Sequence, residues 1–202
     1  MIKLDSIKKS FGDKTVLNEL SFEFKDKTLY ILTGENGSGK SCLLYILAFL
    51  DKDYGGEMFI NNKSMYFATS KDIERQRQRV SLLLPKGNLV SFLNCYDNLT
   101  LGVVDKSRVI NLIPSLDLKQ NVQSLSGGEE ILLALSREIS LDKDYYLMDE
   151  ITDALDDVHF KQVMDALCKL ANEKLVILAT HDKRTLSYGT RLILKEGKLF
   201  QE

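Results

Sequence analysis

The stretch Gly34-Glu35-Asn36-Gly37-Ser38-Gly39-Lys40-Ser41 decides how this chain is read. It fills the pattern G-x-x-x-x-G-K-S, in which each residue type answers a demand set by a triphosphate. Glycines let the backbone adopt positive φ and turn its N–H groups onto phosphate oxygens without a Cβ in the way. Lys40 brings a cation to the β- and γ-phosphates, and the Ser41 hydroxyl is placed to ligate Mg²⁺. A chance match at the four fixed positions is expected in roughly 1% of chains this long. The flanks agree with the motif. Leu29-Tyr30-Ile31-Leu32 reads as a buried strand, and residues 40–50 read as a helix. Phosphate then sits at a helix N-terminus, where the dipole and unpaired N–H groups favour anions.

Upstream of the loop, Ile2-Lys3-Leu4-Asp5-Ser6-Ile7 alternates as a half-exposed strand does, and residues 16–24 alternate again. Between them lies a turn at residues 10–14. Its one aromatic, Phe11, is either an adenine-stacking residue or part of the core. Downstream, Asp53-Tyr54-Gly55-Gly56 reads as a turn and residues 57–62 as a short strand ending in a turn. Arg75, Arg77 and Arg79 follow at i, i+2 spacing. That spacing makes no single helical face, so residues 70–79 read as solvated surface rather than a nucleic-acid patch. Val80-Ser81-Leu82-Leu83-Leu84 is a buried strand stopped by Pro85. Residues 94–123 read as short helices, with Asn94 or Asp97 capping one and Asp105 another.

Three later stretches carry chemistry. In Leu125-Ser126-Gly127-Gly128-Glu129, Ser126 and Glu129 form a capping box, so a helix starts there. Capping does not call for two glycines in a first turn, which cost helix stability. They suit a second turn that an anion approaches closely. Tyr145-Tyr146-Leu147-Met148 runs into Asp149-Glu150, a buried strand ending in two carboxylates where parallel sheets bind ligands. Asp149 suits the Mg²⁺ shell, and Glu150 suits polarising an attacking water. Residues 157–170 read as an amphipathic helix. The strand at residues 175–179 then ends in Thr180-His181, which places His181 at the same sheet edge. His159 reads as a surface residue, and residues 191–201 as a closing hairpin.

Bulk composition narrows the classes. With 202 residues, 44% hydrophobic and 28% charged, the chain can bury a sizeable core, and a net charge of −2 gives no general pull on nucleic acid. Cys42, Cys95 and Cys168 are odd in number and far apart, which predicts neither a zinc site nor a disulfide framework and points to a reducing cytoplasm. The opening MIKLDSIKKS has no signal-peptide apolar stretch. The longest apolar runs reach about eight residues, against roughly 20 for a membrane span.

Taken together, these motifs resemble the ATPase subunit of an ABC transporter, and the resemblance runs from the Phe11 turn to the last hairpin. Its most specific part is LSGGE at 125–129 set upstream of Tyr-Tyr-Leu-Met-Asp-Glu. The resemblance implies a single domain, residues 1–202. Its fold class is an α/β P-loop NTPase (RecA-like) core with an N-terminal antiparallel β subdomain and a small helical subdomain near residues 88–140. ATP and Mg²⁺ are the implied cofactors. Val16, Gly34, Glu35, Asn36, Gly37, Ser38, Gly39, Lys40, Ser41 and Cys42 would hold ATP, with Phe11 stacking on its adenine. Ser41 and Asp149 would hold Mg²⁺. Glu150 would be the catalytic base and His181 the switch histidine. Leu125, Ser126, Gly127, Gly128 and Glu129 would cap the ATP of a second subunit, and Ala154, Leu155 and Asp156 would form the D-loop. A homodimer or heterodimer with a transmembrane permease subunit is implied, at the cytoplasmic face of the membrane, without nucleic acid. "LAFLDKDYGGE" and "FLNCYDNLTLG" look most like bacterial peptide, bacteriocin or lipoprotein-type exporters. A soluble iron–sulfur assembly ATPase is the alternative. A DNA-repair ATPase would need a coiled-coil insertion that the interval from Lys40 to Leu125 does not hold. Three positions depart from the family: Pro85 where glutamine is usual, Ile151 where proline is common, and Ile131-Leu132 in place of a polar pair. The first implies that water replaces a Mg²⁺ ligand and that the isolated subunit turns over slowly.

Overall fold

The computed structural model describes residues 1–153 and 155–202. Alternation near the N-terminus yields strands β1 (Ile2–Phe11) and β2 (Lys14–Phe24), paired antiparallel, with Ile2, Leu4 and Ile7 fully buried on one face. On the other edge of β1 lies β4 (Gly55–Ile60), and β5 (Lys63–Ser64) completes a sheet of order β2-β1-β4-β5. Gly55 and Gly56, expected in a turn, therefore belong to a strand. Their presence answers a register shift in β1 between Asp5 and Lys8, where Gly55 pairs with Lys8. The turn comes later, at Asn61 and Asn62, which adopt φ of 48° and 65° in a tight hairpin.

The second sheet holds β3 (Thr28–Thr33), β6 (Val80–Leu83), β7 (Tyr145–Asp149), β8 (Leu175–Ala179), β9 (Thr190–Lys195) and β10 (Lys198–Gln201), in the order β10-β9-β3-β8-β7-β6. All its pairings are parallel except β9 with β10. The central strands read as unbroken apolar runs because both faces are covered. Tyr145, Leu147 and Ile177 pack into one core with α1 (Lys40–Leu47) and the first sheet. Tyr146, Met148 and Val176 pack into the other, with α3 (Cys95–Thr100), α4 (Gly127–Ser140) and α5 (Asp157–Ala171). Alternate residues of one strand thus serve opposite cores.

Residues 70–79 correct the sequence reading. A helix, α2 (Ser70–Arg77), forms there behind a Thr69/Asp72 capping box. Its apolar signal is weak because only Ile73 packs inward. The arginines brace the fold: Arg77 donates to Phe49 O at 2.9 and 2.7 Å, and Arg79 pairs with Asp144 at 2.6 Å. Asn94 caps α3 and Asp105 caps the 3₁₀ turn Lys106–Arg108. Further 3₁₀ turns span Val122–Ser124 and Lys183–Ser187. Among the described residues, no helix is long and apolar enough to cross a membrane.

Parallel order brings the ends of β3, β6, β7 and β8 to one edge of the sheet. Glu150 N donates to Ala179 O, and Thr180 N to Leu32 O, at 2.8 and 3.0 Å. These bonds lock three strand ends together. The phosphate-loop residues, the carboxylate pair and His181 all emerge there.

Candidate active site

The loop after β3 is shaped by contact with β2. Gly39 caps α1 at φ 107°, and a Cβ there would lie 2.5 Å from Val16 Cγ1. Val16 therefore sets how closely the hairpin β1–β2 approaches the loop. Lys40 is 5% exposed, and its ammonium donates to Gly34 O at 3.0 Å and lies 3.4 Å from Glu150 Oε1. Ser38 Oγ is buried with no hydrogen-bond partner. A buried hydroxyl without a partner costs about 1–3 kcal/mol, so a phosphate oxygen is a fitting acceptor. Glu35, Asn36 and Gly37 face outward along a cleft of about 710 Å³, lined also by Lys14 and residues 193–196. Phe11 pairs across the hairpin with Lys14 and is 58% exposed, with the Lys9 ammonium 5.1 Å from its ring. Cys42 packs its side chain against the core, which leaves the backbone as its means of reaching a ligand. Burial raises its thiol above the usual range.

Asp149 ends β7 in a buried setting that raises its carboxyl above the ordinary range, with a hydrogen bond from Ser41 acting the other way. Its Oδ1 has no partner. Two oxygens, Ser41 Oγ and Asp149 Oδ1, thus fit a hard divalent cation that prefers oxygen ligands and keeps several waters.

Glu150 stands at φ 54°, a conformation that turns its side chain off the strand and back toward the loop. Its Oε2 lies 2.9 Å from His181 Nδ1, and the same nitrogen is 3.2 Å from Asp153 Oδ2. Burial works against the Glu150 charge. Hydrogen bonding from Asp153, the Lys40 cation and His181 outweigh it and hold the carboxyl below its usual range. Asp153 shifts the other way: burial, then the hydrogen bond and charge of Glu150, push it up to about 6. One loop, one cation, one base-like carboxylate and one histidine thus converge on a single point, the geometry of a site that positions water against a terminal phosphate.

A family model described as "ABC transporter" matches residues 17–153. The chain belongs to the ABC transporter family. Among its relatives, the methionine import ATP-binding protein MetN of Francisella tularensis is 31% identical over 201 residues, 90% of this chain. The chain spans 57% of MetN's length. HrtA of Staphylococcus epidermidis, named for a conjectured hemin import role, is 31% identical over 212 residues, with 96% of each chain covered. A solved structure of MJ0796, described as a bacterial ABC transporter cassette in dimeric form, is 26% identical. Its TM-score is 0.87, and it covers 100% of this chain and 98% of that one. Another, described as a dimeric post-hydrolysis state of the same cassette bound to ADP and Pi, has TM-score 0.86 at 25% identity and the same coverage. The P-loop cassette fold expected from the motifs is the fold found.

The ABC signature residues lie apart from this cluster, at the start of α4. Ser126 Oγ accepts from Glu129 N at 3.3 Å, and Glu129 Oε2 accepts from Ser126 N at 2.8 Å, so the capping box is closed. Gly127 faces open space. Gly128 does not: a Cβ there would lie 2.5 Å from His159 Cγ. His159, expected at the surface, is half-buried under the signature turn with its Nδ1 2.7 Å from Asp156. The second glycine therefore has a packing reason besides anion approach. Leu125 packs against the second core, Leu155 is buried, and Asp156 caps α5 through His159 N at 2.9 Å. Ala154 lies outside the described residues.

The turn after β6 is held by α4. Arg137 donates to Asn88 O at 3.0 Å and Gly87 O at 3.4 Å and pairs with Glu138, which accepts from Ser81 at 2.8 Å. Exposed Pro85 sits in this clamp. The chain folds back beyond it, and Asn88 Nδ2 donates to Leu82 O at 3.3 Å. Sequence reasoning missed Lys14 and Asp153. Lys14 gave no signal, whereas a second carboxylate three residues after Glu150, on a turn, could have been noticed.

Proposed function

We propose that this chain binds Mg·ATP and hydrolyses it as the ATPase subunit of a transporter, through ATP-driven head-to-tail dimerisation beside a separate membrane subunit. The observation that carries this reading is Glu150 held between the Lys40 ammonium and His181 Nδ1 at the edge where β3, β7 and β8 end. Backbone N–H groups of residues 34–42 and the Lys40 ammonium hold the phosphates, with Phe11 and Val16 on the adenine side. Ser41 and Asp149 would ligate Mg²⁺, which when bound offsets charge on the phosphate oxygens. Glu150 takes a proton from the attacking water, and His181 fixes the Glu150 carboxylate while its own exposed ring meets the γ-phosphate.

Ser126, Gly127, Gly128 and Glu129 complete the site of a second copy, with Leu125 anchoring the turn and Leu155 and Asp156 beside the dimer seam. The dimeric form described for MJ0796 supports this reading, as does the open space before Gly127. The helical segment near residues 88–140 carries that surface and, with exposed Phe92 and Tyr96, faces the membrane partner on the cytoplasmic side. Pro85 offers no side-chain oxygen to Mg²⁺, so water takes that place and the isolated subunit turns over slowly.

The test is Glu150→Gln, which keeps the shape and removes the base. ATP affinity is expected to stay within about twofold while single-turnover hydrolysis falls by roughly 100-fold or more. Unchanged hydrolysis would remove Glu150 from this role.

A further inference from the structure

Asp153 belongs to none of the motifs named above, yet it lies at the centre of the site. It sits on the turn after β7, three residues beyond Glu150, and its Oδ2 is 3.2 Å from the His181 Nδ1 that also meets Glu150 Oε2. Its other oxygen, Oδ1, accepts from Thr180 Oγ1 at 3.2 Å, and that hydroxyl is 2.9 Å from Thr152 Oγ1. Arg184 fixes the turn from the far side, with Nη2 donating to Thr152 O at 3.3 Å and Leu155 O at 3.0 Å. Asp182 and Asp157 occupy the rest of that guanidinium, so it does not neutralise Asp153. The groups facing Asp153 are therefore Glu150, His181 and Thr180, with Lys40 on the opposite oxygen of Glu150.

Two carboxylates here share one imidazole nitrogen. A single N–H cannot satisfy both, and two like charges at such range resist joint ionisation. When Asp153 is ionised it competes for His181 and repels the Glu150 charge, which makes Glu150 a stronger proton acceptor. When Asp153 is protonated it becomes a donor to Glu150 and weakens it. We propose that Asp153 is a positioning residue that sets the strength of Glu150 as a base through the shared Nδ1 of His181. In the step it governs, a water O–H bond breaks with its proton passing to Glu150. The water oxygen bonds the γ-phosphorus, and the bond to the ADP oxygen breaks. Asp153 forms and breaks no covalent bond. This inference rests on Glu150 being the base. It adds a second carboxylate that gives hydrolysis an acid limb in a range where Glu150 itself stays ionised.

The experiment is single-turnover hydrolysis of Mg·ATP between about pH 5.5 and 8 by the wild type, Asp153→Asn, Asp153→Glu and Glu150→Gln, with ATP affinity measured in parallel. An asparagine at 153 is a permanent donor to Glu150, so Asp153→Asn should be slower at pH 7.5 by roughly 3- to 10-fold. It should also lack the limb expected of the wild type near pH 6, with ATP affinity unchanged. Asp153→Glu should restore the limb. A limb that persists in Asp153→Asn would belong to His181 or another group and overturn the proposal. So would an unchanged rate at pH 7.5, or loss of ATP binding, which would mark a merely structural role. Glu150→Gln keeps the two failures apart: if it hydrolyses like the wild type, the reading of Glu150 as base is wrong. If it is inactive and the Asp153 variants do nothing, only the present inference falls.

Discussion

The phosphate loop and the signature turn are both glycine-rich turns opening a helix, and the chain treats their polar groups in opposite ways. At residues 34–41 a buried lysine and an unpartnered serine hydroxyl remain available to a ligand. At residues 125–129 the serine and glutamate satisfy each other, and the turn presents open backbone at Gly127. The first turn is built around charge it does not itself neutralise. The second is a self-sufficient cap that would offer a ligand only N–H groups and helix dipole. A turn of the second kind holds an anion weakly alone and usefully when another chain supplies the phosphate-bearing loop.

The largest expected effect removes the charge from the first turn. Lys40→Ala should weaken ATP binding by roughly 100-fold, about 2.7 kcal/mol, read by nucleotide titration. Equal affinity would erase the contrast, because the two turns would then hold phosphate alike. On the signature side, Gly128→Ala should cost about 1–2 kcal/mol of stability in denaturant unfolding, since the new methyl displaces the His159 ring. Gly128→Ala with His159→Ala should recover most of it, because alanine otherwise favours a helix. If the double variant is no more stable than the single one, the packing account of the second glycine is wrong.

Smaller effects probe the ground between the turns. The Asp153 carboxyl is raised to about 6 from an ordinary 3.8, chiefly by burial and by Glu150. The folded protein therefore binds that proton more tightly than the unfolded chain does. Stability from this group is full below about pH 4 and is lost as pH rises through about 6. Asp153→Asn should accordingly be more stable than the wild type at pH 7.5 by about 1 kcal/mol or less, given solvent access to the turn. In thermal melts that gain should shrink toward pH 4. Smallest of all, Pro85→Gln should raise basal turnover by roughly threefold or less, under 1 kcal/mol of barrier. Because Arg137 ties this turn to the signature helix, an effect of Mg²⁺ concentration on that gain would locate it at the metal. Identical rates and Mg²⁺ dependence would leave Pro85 without a role there.

Most of the architecture was legible because its signals are local. The strand–loop–helix around Lys40 and the apolar run into Asp149-Glu150 each announce themselves in one continuous stretch of chain. So does the Ser126–Glu129 box. The parts that were not legible depend on distant chain segments. Helix α2 is short and largely polar, and its Arg77 and the nearby Arg79 find acceptors at Phe49 and Asp144. Gly56 reads as a turn residue until β1 bulges beside it. His159 looks like a surface residue until α5 brings it under Gly128. Asp153 is a more instructive miss, since its meaning comes from His181, two residues past the end of β8 and 3.2 Å away. The candidate site was visible as motifs, whereas its electrostatic coupling needed the sheet edge that joins them.

Sedimentation of Glu150→Gln with saturating Mg·ATP bears most directly on the division of labour between the two turns. If the phosphate loop of one chain and the signature turn of another share each nucleotide, a variant that binds ATP without consuming it should sediment as a dimer. It should return to monomer when Mg²⁺ is chelated. A strict monomer at high protein concentration, with ATP demonstrably bound, would contradict that account.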